Sequence, residues 1–243
     1  MTAPASEPAL SPPPDDGRVL SAEGVWKLFQ VGDEIVRALV DVSFTVHKGE
    51  FVALMGPSGS GKSTMLYLLG GLDRPTKGEI RINGKPTVGL TEAQFAHMRH
   101  STIGFIFQSF NLIPFLSAVE NVELPLMFEP VDRGSLRRRA TGLLEMVGLG
   151  HRLSHRPARL SGGEQQRTAI ARALVGSPLL ILADEPTASL DRETGKTVTK
   201  ILRDLCKDLG VTVIAATHDP TVAEQADRVL RMSDGRATED AAR

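Results

Sequence analysis

A chain of 243 residues with a formal net charge of −1 can bury one substantial core, and it lacks the excess positive charge typical of nucleic-acid-binding proteins. Its single cysteine, Cys206, excludes an internal disulfide, fits a reducing compartment and is predicted to lie in the core. No apolar run approaches the roughly 20 residues that span a bilayer, and no secretory signal is apparent, so we expect an intracellular protein.

The first elements are predicted to lead from a tail into a buried strand. Residues 1–18 are rich in proline, alanine and serine, a composition that buries little apolar surface and therefore predicts a disordered tail. Apolar runs at 25–29 and 38–46 predict antiparallel strands. The run at 51–55 predicts a buried strand, and residues 65–69 predict a helix.

A phosphate-binding motif lies between that strand and that helix. It consists of Gly56, Pro57, Ser58, Gly59, Ser60, Gly61, Lys62, Ser63 and Thr64. The segment fits the pattern G-x-x-x-x-G-K-[ST], in which glycines let backbone N–H groups point at anionic oxygens. Lys62 is predicted to reach the β- and γ-phosphates, and the Ser63 hydroxyl is predicted to bind Mg²⁺. The sequence therefore predicts a site for a nucleoside triphosphate.

Strands and helices continue to alternate after the motif. The run at 80–85 predicts a strand followed by a hairpin turn, because it contains Asn83-Gly84. The run at 103–107 predicts another strand, which ends before Gln108. Ser135 is expected to cap a helix that ends at Gly148.

The last third of the chain follows the same order. Apolar runs at 179–183 and 211–216 predict buried strands, and Asp191 and Asp219 are expected to cap the helices that follow them. Residues 229–235 predict a final hairpin. Fully apolar strands that alternate with helices predict an α/β fold with a mostly parallel sheet covered on both faces.

Two carboxylates end the strand at 179–183. Asp184 and Glu185 are expected at the carboxyl edge of the sheet, where parallel sheets bind ligands. Asp184 suits a role in the Mg²⁺ shell, and Glu185 suits the activation of an attacking water.

The segment Ser161-Gly162-Gly163-Glu164 has two interpretations. It is a capping box if Ser161 binds the backbone of Glu164 while the Glu164 side chain reaches back. It is a second anion site if Gly162 and Gly163 let a phosphate approach the helix N-terminus. The pattern alone leaves both open.

Several motifs occur together in a characteristic order. The phosphate-binding motif is followed by Gln108, Leu160 to Gln165, Leu182 to Pro186, Ser189 to Asp191 and His218. Over about residues 19–236, this set resembles the nucleotide-binding subunit of ABC transporters. The resemblance implies a P-loop NTPase core with an N-terminal antiparallel β subdomain, an inserted helical subdomain at about 109–160 and a flexible tail at 237–243. It also implies a head-to-tail dimer with two ATP molecules, each between 56–64 of one copy and 161–163 of the other.

The resemblance also implies roles for single residues. Phe29 matches the aromatic residue that stacks on adenine, where tyrosine is more usual. Gln108 matches the glutamine that contacts Mg²⁺ and the attacking water. Asp191 matches the aspartate that couples the two sites, and His218 matches the histidine that contacts the γ-phosphate.

A narrower resemblance lies outside the shared motifs. The segments 70–76, 104–112 and 120–126 resemble the MacB/LolD-type group, although Ala188 and Ser189 depart from the usual Gly-Asn. This group implies a separate MacB/FtsX-like membrane permease as partner and a peripheral position at the cytoplasmic face of the cell membrane. The transported substrate is expected to be chosen by the permease.

Other ABC ATPases differ from this chain. About 95 residues separate the phosphate-binding motif from Ser161, which leaves no room for the coiled coils of DNA-repair enzymes. The translation-factor type carries two such domains, whereas this chain has one. An ATPase that regulates a membrane partner without transporting a substrate stays possible. The apolar residues after Gln108 are expected to be exposed in a docking groove for the permease, or else to pack within the helical lobe. They are Phe110, Leu112, Ile113, Phe115 and Leu116.

Overall fold

Two β-sheets and the helices packed on them make up residues 17–239, the part of the chain that the computed structural model describes. The strands are β1 (Arg18–Val31), β2 (Glu34–His47), β3 (Phe51–Met55), β4 (Lys77–Ile82), β5 (Lys85–Pro86), β6 (Ile103–Ile106), β7 (Leu180–Asp184), β8 (Thr212–Thr217), β9 (Arg228–Ser233) and β10 (Arg236–Glu239). The α-helices are α1 (Lys62–Leu69), α2 (Glu92–Thr102), α3 (Ala118–Glu123), α4 (Arg133–Met146), α5 (Gly162–Leu174), α6 (Arg192–Leu209) and α7 (Pro220–Gln225). Short 3₁₀ helices lie at Leu124–Leu126, Gly150–Arg152 and Pro157–Arg159.

The larger sheet has the strand order β10-β9-β3-β8-β7-β6, and its strands pair in parallel apart from the antiparallel β9–β10 hairpin. Every residue of β7 and β8 is buried. Central strands of such a sheet are covered by helices on both faces, which explains why their sequences are apolar without alternation. The predicted α/β fold with a mostly parallel sheet is confirmed.

The smaller sheet is antiparallel, with the strand order β2-β1-β4-β5. Asn83 and Gly84 connect β4 to β5 with φ angles of 49° and 72°, the left-handed values that a tight hairpin requires. The antiparallel N-terminal sheet and the Asn-Gly hairpin were both predicted, and both are confirmed.

Two clusters of buried side chains lie on opposite faces of the larger sheet. One contains Ile181 and Val213 together with apolar side chains of α3 to α6. The other contains Leu182 and Ile214 together with those of α1 and the smaller sheet. Successive strand residues point to opposite faces, so each central strand contributes to both clusters. Cys206 belongs to the first cluster, as predicted, and burial raises the pKa of its thiol to about 12.

The helices between β6 and β7 form a lobe beside the sheet. Helices α3 and α4 pack against α5 through buried side chains such as Val122, Leu144 and Ile170. In residues 17–239, no helix is long and apolar enough to cross a bilayer.

Some predicted details differ from the structure. Asp132 caps α4, because its carboxylate accepts a hydrogen bond from the backbone N–H of Ser135 at 2.7 Å. The prediction of Ser135 as the cap was wrong by about one turn, since both residue types are good caps and the earlier one is used. The tail boundaries predicted at 18 and 237 each fall inside a strand, β1 and β10. The rest of the two predicted tails, 1–16 and 240–243, lies outside the described residues.

Candidate active site

The phosphate-binding motif forms a tight loop between β3 and α1. A Cβ atom on Gly56 would lie 2.3 Å from the carbonyl oxygen of Met232, and one on Gly61 would lie 2.6 Å from that of Ala38. Gly61 also has a φ of 101°, which favours glycine. These two glycines therefore let the loop run directly against β9 and β2.

The loop ends at the N-terminus of α1. The first amide groups of a helix have no intrahelical acceptor, and Gly61, as the N-cap, offers them no side chain. Lys62 is buried, and its Nζ donates to the carbonyl oxygens of Gly56 at 2.8 Å and Pro57 at 2.9 Å. The amides and the buried ammonium make an electropositive cradle that suits phosphate oxygens.

A hydroxyl and a carboxylate meet beside this cradle. Asp184, the last residue of β7, is buried and accepts a hydrogen bond from Ser63 Oγ at 2.8 Å. Burial raises the pKa of the Asp184 carboxyl, while hydrogen bonds from Ser63 and Tyr67 act in the opposite direction. Mg²⁺ prefers oxygen ligands and needs few of them from the protein when phosphates supply the rest. The described residues include no cluster of three His, Cys, Asp or Glu side chains that could hold a metal. The Ser63–Asp184 pair offers oxygen ligands of the kind that Mg²⁺ prefers.

Glu185 follows Asp184 in an unusual backbone conformation. Its φ is 46°, in the left-handed region that residues with side chains avoid. Its N–H donates to the carbonyl oxygen of Ala216 at 2.8 Å, which holds it at the edge of the sheet. Its carboxylate lies 3.8 Å from Lys62 Nζ and 2.9 Å from Nδ1 of His218. Backbone strain of this kind costs on the order of 1–3 kcal/mol and clusters at active sites. This conformation was not predicted, because no sequence pattern marks a left-handed glutamate.

His218 directly follows the neighbouring strand, β8. Strands β7 and β8 pair in parallel, so their carboxyl ends bring Glu185 and His218 to the same edge. The loops after these strands are joined by a hydrogen bond from Thr187 Oγ1 to Asp219 Oδ2 at 3.1 Å. This bond, which was not predicted, fixes one loop against the other.

Most of the predicted residues of this edge open onto one cleft of about 620 Å³, whereas Gly56, Ser60 and Asp184 are not part of its lining. It is lined by Val36, Arg37, Ala38, Pro57, Ser58, Gly59, Gly61, Lys62, Ser63, Thr64, Gln108, Glu185 and His218. The cleft has the size of a site for a small ligand. The three residues from β2 were not predicted, because strand residues of ordinary types carry no motif.

Phe29 lies beside this cleft rather than in its lining. It pairs with Val36 across β1 and β2, and Val36 lines the cleft. The Phe29 side chain is 39% exposed.

Ser161 caps helix α5. Its Oγ accepts a hydrogen bond from the Glu164 N–H at 3.3 Å, and its own N–H donates to Glu164 Oε2 at 2.8 Å. The bond from the Ser161 backbone is the main reason why the pKa of the Glu164 carboxyl lies below its usual value. The capping box is therefore formed, and Ser161 lies outside the cleft of its own chain.

The two glycines after Ser161 have different surroundings. A Cβ atom on Gly163 would lie 2.3 Å from Cγ2 of Thr194, whereas one on Gly162 would meet nothing closer than 3.5 Å. Asp191 caps α6 by accepting hydrogen bonds from the N–H of Thr194 at 3.0 Å and from its Oγ1 at 2.6 Å. Gly163 is thus required for the packing of α5 on α6, while the surface at Gly162 is open.

The segment after Gln108 is more buried than predicted. Phe115 is 69% exposed, whereas Phe110, Leu112, Ile113 and Leu116 are partly buried. Buried Asn121 holds the segment, since its Oδ1 accepts from the N–H of Ile113 at 2.7 Å and its Nδ2 donates to the carbonyl oxygen of Leu116 at 3.1 Å. Phe128, which was not predicted, is 90% exposed.

Comparisons with known proteins agree with this geometry. A family model described as ABC transporter matches residues 39–188. An uncharacterized ABC transporter ATP-binding protein of Thermotoga maritima is 48% identical over 219 residues, which cover 90% of this chain and 93% of that protein. The lipoprotein-releasing system ATP-binding protein LolD of a Shewanella species is 45% identical over 89% of this chain and 94% of its own length. The macrolide export ATP-binding/permease protein MacB of Syntrophobacter fumaroxidans is 47% identical over 89% of this chain but only 31% of MacB. Among solved structures, this chain is similar to the Methanocaldococcus jannaschii cassette MJ0796 in a dimeric post-hydrolysis state bound to ADP and Pi. The match has a TM-score of 0.86 and 44% sequence identity, and it covers 92% of this chain and 99% of the cassette chain.

Proposed function

The chain belongs to the ABC transporter family as an ATP-binding and ATP-hydrolysing subunit, and from this premise we propose that it hydrolyses ATP in a head-to-tail dimer that drives a separate membrane permease. The observation that carries the proposal is the single cleft onto which the phosphate-binding loop, Glu185 and His218 all open. The proposed function has two parts, the hydrolytic site of one chain and the surfaces that this chain presents to its partners.

The triphosphate is held by the cradle at the start of α1. Lys62 exchanges the carbonyl oxygens of Gly56 and Pro57 for phosphate oxygens, because an ionised acceptor makes the stronger hydrogen bond. Ser63 and Asp184, with Gln108 from the lining of the cleft, would hold Mg²⁺, which neutralises charge on the phosphates. Phe29, beside the cleft, stacks on the adenine base.

Glu185 activates the attacking water. Its left-handed backbone directs the carboxylate towards Lys62 and therefore towards the end of the phosphate chain. The Nδ1 of His218, at 2.9 Å, holds the carboxylate in place, and His218 reaches the γ-phosphate once that group is present. A carboxylate in this position accepts a proton from water as the oxygen attacks phosphorus.

A second copy completes the site. Ser161 lies outside the cleft of its own chain, and the first amides of α5 have no intrahelical acceptor. The open surface at Gly162 leaves room for a phosphate, which binds favourably at a helix N-terminus. The dimeric state of the M. jannaschii cassette supports this arrangement. Asp191, which caps the adjoining α6, links the two sites of the dimer.

A substitution of Ser161 tests the composite site. Ser161→Asp keeps a good N-cap but adds a negative charge where the γ-phosphate of the second copy's ATP would lie. In a Glu185→Gln background, we expect the variant to have the same free energy of unfolding as its parent. With ATP present, it should stay monomeric during gel filtration. Ser161→Asn, an uncharged cap, is the matched control and should dimerise. An Asp variant that dimerises normally would refute the composite site.

The permease docks on the helical lobe at the cytoplasmic face of the membrane. Phe115 follows Gln108 closely and exposes 69% of its side chain, so it can contact a partner while Gln108 senses the nucleotide. The permease is of the MacB/FtsX-like kind, which the resemblance to LolD and MacB supports.

Two matched substitutions test the docking site. Phe115→Glu should abolish co-purification with the membrane partner while the isolated subunit keeps its ATPase rate. Ile35→Glu, at a side chain that is 67% exposed on the smaller sheet, should change neither. Loss of membrane association in both variants, or in neither, would place the docking surface elsewhere.

A further inference from the structure

The aromatic ring beside the cleft has a cation on one of its faces. Lys27 and Phe29 are two positions apart on β1, and the pairing of β1 with β2 shifts register between Lys27 and Leu28. The Lys27 Nζ lies 4.8 Å from the centroid of the Phe29 ring. An ammonium at this distance is attracted by the negative face of the ring.

Lys27 is held in this position from the far side. Its Nζ donates to Asp73 Oδ1 at 2.6 Å and to the carbonyl oxygen of Arg74 at 2.9 Å, and its side chain is only 12% exposed. Thr76 joins the same turn to β1, because its Oγ1 accepts a hydrogen bond from the N–H of Leu28 at 3.0 Å. The ammonium is therefore a fixed charge rather than a mobile surface group.

The turn that holds Lys27 follows α1, whose first residue is Lys62 of the phosphate-binding loop. The N–H of Asp73 donates to the carbonyl oxygen of Tyr67 at 3.3 Å, which ties the turn to the last residues of that helix. The phosphate cradle and the Phe29 ring are thus connected through one short helix and the Lys27–Asp73 pair. This connection fixes the distance between the two parts of the site.

We propose that Lys27 is a positioning residue for the nucleotide base, a role that rests on the proposed stacking of adenine on Phe29. The cation occupies one face of the ring and leaves the other for the base. It also draws π-electron density towards itself, which reduces the repulsion between the ring and the electron-rich face of a purine. Lys27 therefore raises the affinity for the base without contacting it.

The test compares ADP with pyrophosphate, since the two ligands share the phosphate cradle and differ by the adenosine. Titration calorimetry on the full chain with Mg²⁺ gives both dissociation constants without hydrolysis. Phe29→Ala should weaken ADP binding about ten-fold and leave pyrophosphate unchanged. Lys27→Met should weaken ADP binding about three-fold and leave pyrophosphate unchanged. Lys27→Arg, which keeps the cation, should bind ADP like the parent.

A double variant separates the base platform from a merely structural ion pair. In the Phe29→Ala background, Lys27→Met should have no further effect on ADP binding. An equal loss in both backgrounds, an equal loss for pyrophosphate, or no loss at all would overturn the role of Lys27. If Phe29→Ala itself leaves ADP binding intact, the proposed base platform fails instead. Should Lys27→Met unfold, Asp73→Asn tests the same link, because it frees the ammonium while keeping the charge, and it too should weaken ADP but not pyrophosphate.

Discussion

The contact between α5 and α6 allows a sharp prediction. A Cβ atom on Gly163 would lie 2.3 Å from Cγ2 of Thr194, while the next nearest atoms are at 3.7 Å and 3.8 Å. A normal carbon–carbon contact needs about 3.5–4.0 Å, so Gly163→Ala forces the two helices apart by more than an ångström at this point. Overpacking of this kind costs about 1–3 kcal/mol, and the better helix propensity of alanine returns up to about 1 kcal/mol. We expect a net loss of about 1–2 kcal/mol in the free energy of unfolding.

The second half of the prediction restores the packing. Thr194→Ser removes Cγ2 alone and keeps the hydroxyl that bonds to Asp191 Oδ2. In urea unfolding followed by circular dichroism, the double variant should therefore recover most of the stability that Gly163→Ala loses. Thr194→Ser alone should cost little, which makes it the control. A Gly163→Ala variant as stable as the parent, or one that Thr194→Ser does not rescue, would refute the packing argument. If the stable double variant still fails to dimerise with ATP, Gly163 is also needed at the interface between copies.

Three further predictions concern the loop, the capping box and the buried thiol. Gly56→Ala should lower the free energy of unfolding by more than about 3 kcal/mol or prevent folding, because its Cβ would meet the backbone oxygen of Met232. Gly59→Ala is the control: its Cβ meets no atom within 4 Å, so it should cost only about 1 kcal/mol for its left-handed φ. Urea unfolding measures both. The pKa of Glu164 is lower in the folded chain than in the unfolded one. Its contribution to stability is therefore present above the unfolded pKa and is lost as the pH falls through the folded pKa. In Glu164→Gln, urea unfolding at a series of pH values should show that this part of the pH dependence is missing. Cys206, with its pKa raised to about 12, should react with a thiol reagent at pH 8 only after unfolding, and fast labelling of the folded chain would contradict its burial.

The predictable part of the site depends on local signals and on one rule of topology. Asp191 and Asp219 were correctly predicted as caps because a cap depends on a few adjacent residues. Glu185 and His218 could be expected to meet because parallel strands end at the same edge. The prediction of Ser135 as a cap was wrong, because Asp132, three positions earlier, is of an equally good capping type and takes that role.

Long-range packing explains what the sequence could not predict. The contact of Gly163 with Thr194 joins two helices that are separated by strand β7, so the pattern Ser-Gly-Gly suggested a phosphate site more readily than a packing requirement. The bond between Lys27 and Asp73 spans 46 positions in the chain, and no motif contains both residues. The left-handed backbone of Glu185 is imposed by its neighbours and not by its own preference.

Single-turnover hydrolysis by Glu185→Gln tests the central claim most directly. The substitution keeps the size of the side chain and one acceptor oxygen for His218 but removes the base, so we expect phosphate release to slow by about 10²–10⁴-fold while the affinity for ATP is kept. Glu193→Gln, at an exposed glutamate that pairs with Lys196, is the control and should hydrolyse ATP like the parent. We predict that Glu185→Gln binds ATP but releases phosphate slowly, and that Glu193→Gln releases it at the rate of the parent. Phosphate release by Glu185→Gln at the rate of the parent would contradict the assignment of Glu185 as the base.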